Sequence, residues 1–285
     1  MNSRHEIIDK FPGLIYHIRE VLPFTEGSGM KILALDVGNT NIVMGWIEDG
    51  AIRGTTRFQS RVGETEVEYA IRIKDILDLC AQDAKGFDGA IVSSVVGPLT
   101  GVLCRALKLL TGLEPTVVSP DMNSGLTIAI DDPKTLGADL LVGGVAAAEY
   151  YGLPAIVIDM GTATTITAID GERRFLGGAI IPGIKLSYRA LASGTSLLPD
   201  IGITPPERAV SSNTVDCMLS GAVFGSAAMI DGMVERMERE LGVRCRIIAT
   251  GGLAYCVTPH CKRSDIILDD ELLLKGLWSL YKKNM

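Results

Sequence analysis

Two stretches decide the fold: residues 32–54 read ILALDVGNTNIVMGWIEDGAIRG, and residues 155–177 read AIVIDMGTATTITAIDGERRFLG. Each is a hydrophobic strand ending in Asp-x-Gly, a small polar residue, a second strand, and an Asp-Gly turn into a third strand. The equivalent positions are Asp36 with Asp159, Gly38 with Gly161, and the turns Asp49-Gly50 with Asp170-Gly171. Asp-Gly turns alone are common in hairpins, but two whole matching hairpins predict a duplicated α/β fold.

The duplication divides the chain. Strand and helix patterns alternate from Met30 onward, and we predict a first half at residues 30–153 and a second at residues 154–285, with a nucleotide bound between them. Residues 1–29 do not resemble the rest of the chain and end in the turn-like TEGSG. We interpret them as a dispensable extension with one amphipathic helix near residues 14–22; a functional arm is the alternative.

Composition restricts the class of protein. Hydrophobic residues make up 47% of the 285, charged residues 21%, and the formal net charge is −7. These values are typical of a globular chain. Because no Lys/Arg cluster offers nucleic acid a positive face, nucleic-acid binding is not expected. The longest apolar run, near Leu140–Ala148, is too short to span a bilayer, and the N-terminus lacks a secretory pattern, so we expect a cytoplasmic location.

The six cysteines contain no C-x-x-C pair. The one cluster, Cys256, His260 and Cys261, falls short of the four ligands at recognisable spacing that a zinc site needs. Reduced thiols of a cytosolic protein are the simpler interpretation.

The loop after the first strand, Asp36-Val37-Gly38-Asn39-Thr40, is suited to phosphate binding. A glycine permits a tight turn and a close approach of the backbone, and successive N–H groups form an anion-binding nest. Asp36 at the strand end can hold a hydrated Mg²⁺. The loop is neither a Walker A motif nor a Rossmann fingerprint. The second copy, Asp159 to Thr164, would supply a facing loop with the Thr162 hydroxyl.

Gly251-Gly252 comes directly after another predicted strand, CRIIAT. Backbone exposed by paired glycines can lie flat against a nucleoside, although a plain strand-to-helix turn explains the pair equally well.

Two Asp-x-Gly hairpins and a late Thr-Gly-Gly resemble the actin-like ATPase and sugar-kinase superfamily. Three further stretches are similar in order and spacing to the type III pantothenate kinases. They read LTIAIDDPKTLGADLLVGGVAAAEYYG, FLGGAIIPGIKLSYRALASGTSLLP and SSNTVDCMLSGAVFGSAAMIDG. The resemblance extends from Met30 to about Leu280.

The resemblance implies ATP-dependent phosphorylation of pantothenate to 4′-phosphopantothenate, the first step towards coenzyme A, by a homodimer with its substrate site near the subunit interface. It implies ATP-Mg and a monovalent cation, K⁺ or NH₄⁺, bound at Asp159. The implied proton acceptor is Asp139. The implied ATP-binding residues are Asp36, Val37, Gly38, Asn39, Thr40, Asn41, Ile42, Val43 and Thr162. The implied pantothenate-binding residues are Ile130, Gly137, Ala138, Asp139, Leu140 and Thr214.

Asp139 can also be interpreted as a purely structural residue. It heads an apolar helix after Gly-Ala, where an acidic N-cap needs no chemistry. As a base, a carboxylate at a helix N-terminus would stay ionised and could orient the attacking hydroxyl. The residues alone leave both interpretations open, and the resemblance favours catalysis.

Two positions depart from the family pattern. The usual motif continues Gly-Ala-Asp-Arg, whereas Leu140 stands here, and Ile130 replaces a common aromatic residue. Lys185 or Arg189 could supply the missing positive charge. The alternative functions are a nucleotide-binding accessory protein of the same fold without kinase activity, and a kinase acting on a sugar or another small acid. The lack of a lid-like sugar domain in the sequence counts against the last.

Overall fold

The computed structural model describes residues 29–193 and 202–285 and divides the chain into two compact units, the first ending at Val118 and the second beginning at Ser119. The boundary expected from the sequence lay after residue 153. The difference arises because the helix Ala138–Tyr150 packs on strands of the second unit. The extension at residues 1–29 and its helix lie outside the described residues, apart from Gly29.

The first unit is built on a five-stranded sheet in the order β3-β2-β1-β4-β5. β1 runs antiparallel to β2 and parallel to β4, and its buried side chains form one core with the two helices. The elements are β1 Lys31–Val37, β2 Asn41–Glu48, β3 Ala51–Gln59, α1 Glu66–Leu79, β4 Gly89–Ser94, α2 Gly97–Thr111 and β5 Thr116–Val117.

The second unit is built on a six-stranded sheet in the order β11-β10-β7-β8-β9-β6. Its elements, in chain order, are β6 Thr127–Ile128, α3 Ala138–Tyr150, β7 Ala155–Met160, β8 Ala163–Ile169, β9 Arg174–Pro182, α4 Ile184–Ser193, α5 Thr214–Ser220, α6 Ser226–Leu241, β10 Arg246–Thr250, α7 Ala254–Val257, β11 Ile266–Leu268 and α8 Leu272–Lys283. α3 packs against α8 and against β7 and β8.

The strand orders confirm the duplication. When β7 to β9 are matched to β1 to β3, β10 to β4 and β11 to β5, the second sheet repeats the order of the first and adds β6 at the β9 edge. The pairing directions also match, since β7 is antiparallel to β8 and parallel to β10. The sequence repeat therefore predicted the core of both sheets. The short strands β6 and β11 were not predicted.

The two Asp-Gly turns differ. Asp49 and Gly50 both have positive φ (48° and 86°), as a tight two-residue hairpin requires. The prediction of an equally tight turn at Asp170-Gly171 was wrong, because the positive φ (63°) there falls on Arg173. The Asp170 carboxylate stabilises this wider turn by accepting the N–H groups of Glu172 and Arg174 at 2.9 Å each.

The helical stretch Thr214–Leu241 was predicted as one element, and it contains a π-helical turn at Gly221–Gly225 between α5 and α6. By length and composition alone this stretch could cross a membrane. From the sequence, only the shorter apolar run at Leu140–Ala148 was considered, and this stretch was not identified as a candidate. On one side, Ala227, Ile230 and Val234 lie in the core of the second unit. A core helix of a soluble protein passes the same test, so the feature is weak evidence for a membrane.

Candidate active site

The first predicted phosphate loop begins at the carboxyl end of β1. Asp36 stands there beside Ser93, its register partner on the parallel strand β4. The Ser93 hydroxyl is fully buried and donates to Asp36 Oδ1 at 3.0 Å. The bond fixes one carboxylate oxygen at the sheet edge. Sequence reasoning missed Ser93, although the Ser-Ser pair that ends an apolar strand was a usable signal.

The loop closes on itself through the backbone of Gly38. The Gly38 N–H donates to the Asn41 carbonyl at 3.0 Å, and a Cβ on Gly38 would lie 3.2 Å from that same oxygen. Asn39 and Thr40 are exposed at the tip. Val37 and Ile42 are buried in the core, so they can reach a ligand through the backbone alone. Asn41 and Val43 are partly buried.

The second loop repeats this arrangement at the end of β7. Asp159 is partly buried, the Gly161 N–H donates to the Ala163 carbonyl at 3.0 Å, and Thr162 is exposed. The Gly183 N–H donates to the Thr162 carbonyl at 3.1 Å, and a Cβ on Gly183 would lie 2.3 Å from that oxygen. The start of α4 therefore holds the Thr162 backbone, a contact that the sequence did not reveal.

Asp139 lies in the first turn of α3, but Gly137 is the N-cap residue. The structural interpretation of Asp139 as the N-cap was therefore wrong. Asp139 Oδ1 accepts the Leu140 N–H at 2.8 Å. A Cβ on Gly137 would lie 2.6 Å from Asp139 Oδ1, so glycine leaves room for this carboxylate orientation.

Burial raises the pKa of the Asp139 carboxyl above its ordinary value, and hydrogen bonds from backbone N–H groups oppose that rise. Sequence reasoning considered the helix terminus, which favours ionisation, and missed the larger desolvation effect. A partly buried carboxylate with a raised pKa is better matched to accepting a proton than a solvated one.

Asp139 and Asp159 lie at the same end of the second sheet. Residues 151–154 join α3 to β7, and the two elements pack together, so the chain runs back along the helix. A 13-residue helix and a 6-residue strand are both about 20 Å long, which brings the start of α3 level with the end of β7. Thr162 and Gly251 share this end, because Gly251 comes directly after β10, which is parallel to β7.

The remaining predicted substrate residues are spread over the second unit. Ala138 is buried and Leu140 partly buried on α3, and Thr214 is exposed as the first residue of α5. Ile130 comes after β6 and lies against β9, where a Cβ on Gly177 would be 3.4 Å from its Cγ2. Lys185 and Arg189 are exposed one turn apart on α4.

Solved structures that share this fold include two with low sequence identity to this chain. A putative Baf family transcriptional activator from Campylobacter jejuni matches with a TM-score of 0.52 and 19% identity, covering 88% of this chain and 98% of its own. The ethanolamine utilization protein EutJ from Carboxydothermus hydrogenoformans matches with a TM-score of 0.51 and 16% identity, covering 93% and 92%. The duplicated sheets and their Asp-x-Gly loops define a protein of the actin-like ATPase fold.

The chain belongs to the type III pantothenate kinase family, whose profile matches residues 32–236. A type III pantothenate kinase of Halalkalibacterium halodurans is 41% identical over 254 residues, which are 89% of this chain and all of that relative. The activity of the family is the ATP-dependent phosphorylation of pantothenate, which is the first step of coenzyme A biosynthesis.

Proposed function

We propose that this chain transfers the γ-phosphoryl group of ATP to the primary hydroxyl of pantothenate, with Asp139 as the proton acceptor. The observation that carries the proposal is the partly buried Asp139 carboxylate at the start of α3, whose pKa burial raises. The hydroxyl oxygen forms a bond to the γ-phosphorus, the bond from that phosphorus to the β–γ bridging oxygen breaks, and Asp139 takes the hydroxyl proton.

The two Asp-x-Gly loops bind the phosphates in this proposal. The exposed tip at Asn39 and Thr40, and the exposed Thr162, supply N–H and hydroxyl donors to phosphate oxygens. Alignment of the two reactants and neutralisation of the developing charge account for most of the catalysis in phosphoryl transfer.

Mg²⁺ would enter with ATP. Within residues 29–193 and 202–285, no group of three or more His, Cys, Asp or Glu side chains could enclose a metal ion. Mg²⁺ needs no such cage, because phosphates and waters complete its shell around one carboxylate. Asp36, with Oδ1 fixed by Ser93, fits that role. The ion would neutralise phosphate charge.

We assign the monovalent cation to Asp159. A Cβ on Gly251 would lie 2.5 Å from Asp159 Oδ1, so glycine allows the loop after β10 to approach this partly buried carboxylate closely. The choice of Asp159 as the ligand rests on the family pattern. Equal rates in buffers with Na⁺ alone and with K⁺ or NH₄⁺ would contradict this assignment.

Pantothenate would bind along Gly137, Ala138, Leu140 and Ile130, with Thr214 contributing near the interface of a homodimer. Leu140 in place of arginine removes a positive charge from this side, and Ile130 replaces an aromatic residue. The predicted cytoplasmic location remains a prediction.

An ADP-release assay with pantothenate, with and without K⁺, tests the proposal. Pantothenate-dependent ADP release supports it. ATP binding without pantothenate-dependent turnover would favour the accessory-protein alternative. Leu140, which stands where the family pattern has arginine, is the residue that favours this alternative. Dependence on a sugar instead of pantothenate would favour the third candidate.

A further inference from the structure

Ser60 holds the tip of the first phosphate loop. It is the residue after β3, whose last register pair with β2 is Asn41 with Gln59. Its N–H donates to the Thr40 carbonyl at 3.0 Å, and its hydroxyl donates to the Gly38 carbonyl at 2.6 Å. One residue therefore binds the carbonyl groups on both sides of Asn39.

These bonds determine where an amide points. The Gly38 carbonyl and the Asn39 N–H belong to one planar trans peptide, so they point in opposite directions. When the carbonyl is directed to Ser60, the Asn39 N–H is directed away from Ser60. A carbonyl oxygen turned toward a phosphate would repel it, whereas an N–H attracts it.

Ser60 is itself rigidly held. The next residue, Arg61, donates its N–H to Tyr69 Oη at 2.8 Å and accepts the Tyr69 hydroxyl at its carbonyl at 3.1 Å. Tyr69 is fully buried in the core on α1. The helix starts after Thr65, which forms a capping box with Glu68. The Ser60 hydroxyl is thus preorganised by the core.

We propose that Ser60 is a positioning residue for ATP, acting through the 38–39 peptide to aim the Asn39 N–H at a phosphate oxygen. The proposal rests on the function proposed above for the loop at residues 36–43. Ser60 itself does not need to touch the nucleotide. The hydroxyl, and not the size of the side chain, carries the effect.

The test is steady-state kinetics of Ser60→Ala with ATP and pantothenate varied separately. Because a hydrogen bond of this kind contributes about 0.5–1.5 kcal/mol, we expect KM for ATP to rise roughly three- to tenfold. KM for pantothenate should stay within twofold. Ser60→Thr keeps the hydroxyl and should restore KM for ATP. A direct measurement of the Kd for ATP should rank wild type, Ser60→Ala and Ser60→Thr in the same order as their KM values for ATP.

Thr258→Ala is the matched control, since it removes a hydroxyl that donates to the Ala254 carbonyl at 2.9 Å, outside both loops. It should leave both KM values unchanged. Equal ATP affinity in wild type and Ser60→Ala would overturn the proposal, and so would equal rises in both KM values or failure of Ser60→Thr to rescue. A folding defect in Ser60→Ala, seen as a lowered melting temperature shared by Ser60→Thr, would also count against it. A wild-type protein without ATP turnover would refute the proposed function instead.

Discussion

Gly251 lies so close to Asp159 that a Cβ on the glycine would be 2.5 Å from Asp159 Oδ1 and 2.6 Å from the Met160 backbone. Gly251 also has a φ of +93°, which L residues rarely adopt. The loop after β10 and the end of β7 can therefore approach this closely with glycine alone. The position of the proposed cation ligand depends on a residue that belongs to a different loop.

Gly251→Ala should damage both stability and activity. The clash is with backbone, so something must shift, and such overpacking costs about 1–3 kcal/mol of unfolding free energy. The kcat of this variant and its activation by K⁺ should fall as well. Gly152→Ala is the matched control, because Gly152 has a φ of +84° but a Cβ there would meet nothing within 4 Å. Denaturant unfolding and K⁺ titration of kcat compare the two variants. Equal effects would show that backbone strain, and not the contact with Asp159, matters.

Asp139→Asn should fold normally and lose kcat by on the order of 10²–10⁴-fold, because the proton acceptor is removed while the shape is kept. Asp78→Asn makes the same chemical change at an exposed position on α1 and should retain full activity. Near wild-type turnover of Asp139→Asn would reduce Asp139 to a helix-terminus residue.

The pH dependence of kcat should reflect the raised pKa of Asp139. The carboxylate accepts a proton in its ionised form alone, so kcat falls as the pH drops through its pKa. Because burial raises that pKa, the acid limb should lie above the ordinary value of 3.8. A profile of kcat against pH at saturating substrates measures it. The residual kcat of Asp139→Asn should not show this fall at low pH.

Leu140→Arg should lower KM for pantothenate. Pantothenate carries a carboxylate, and a charge-assisted hydrogen bond contributes about 1.5–3 kcal/mol, so a drop of about tenfold or more is expected with little change in KM for ATP. Leu140→Met keeps the size without the charge and should resemble wild type. If both variants behave alike, another cation, such as Lys185 or Arg189, already serves the substrate.

The fold was readable from the sequence wherever local pattern and repeat agreed. Asp36 and Asp159 each end an apolar strand, and the hairpins after them repeat, so the duplication could be predicted from the sequence. The order of the strands in each sheet comes from the structure. β6 and β11 were missed because two or three residues carry no detectable period. The wider turn at Asp170 was missed because its geometry depends on hydrogen bonds from its carboxylate.

The site was less predictable than the fold. Candidate residues such as Asp139 stood out by type and position. The residues that hold the candidate loops in position did not stand out. Ser60, Gly183 and Gly251 act through contacts between segments that are distant in sequence. Likewise, the pKa of Asp139 depends on burial, which is a property of the packed chain and not of the first turn of a helix.

The last prediction concerns assembly through the helical stretch Thr214–Leu241. Its exposed side carries a stripe of small residues at three- and four-residue spacing: Thr214, Cys217, Gly221, Gly225 and Ala228. A Cβ on Gly221 or Gly225 would meet nothing within 4 Å, so the subunit itself has room for larger side chains there. Small residues let helices approach closely, and we expect a second copy to cover this side in the proposed homodimer.

Gly225→Leu should therefore leave the subunit folded and produce monomers, with KM for pantothenate rising much more than KM for ATP because Thr214 heads the same stretch. Gly101→Leu, at an exposed position on α2, should remain dimeric. Light scattering gives the mass, circular dichroism reports the fold, and kinetics report both KM values. A wild-type mass near the 30.4 kDa of one chain, in a sample that turns over pantothenate, would refute the dimer. A dimeric Gly225→Leu would place the interface elsewhere.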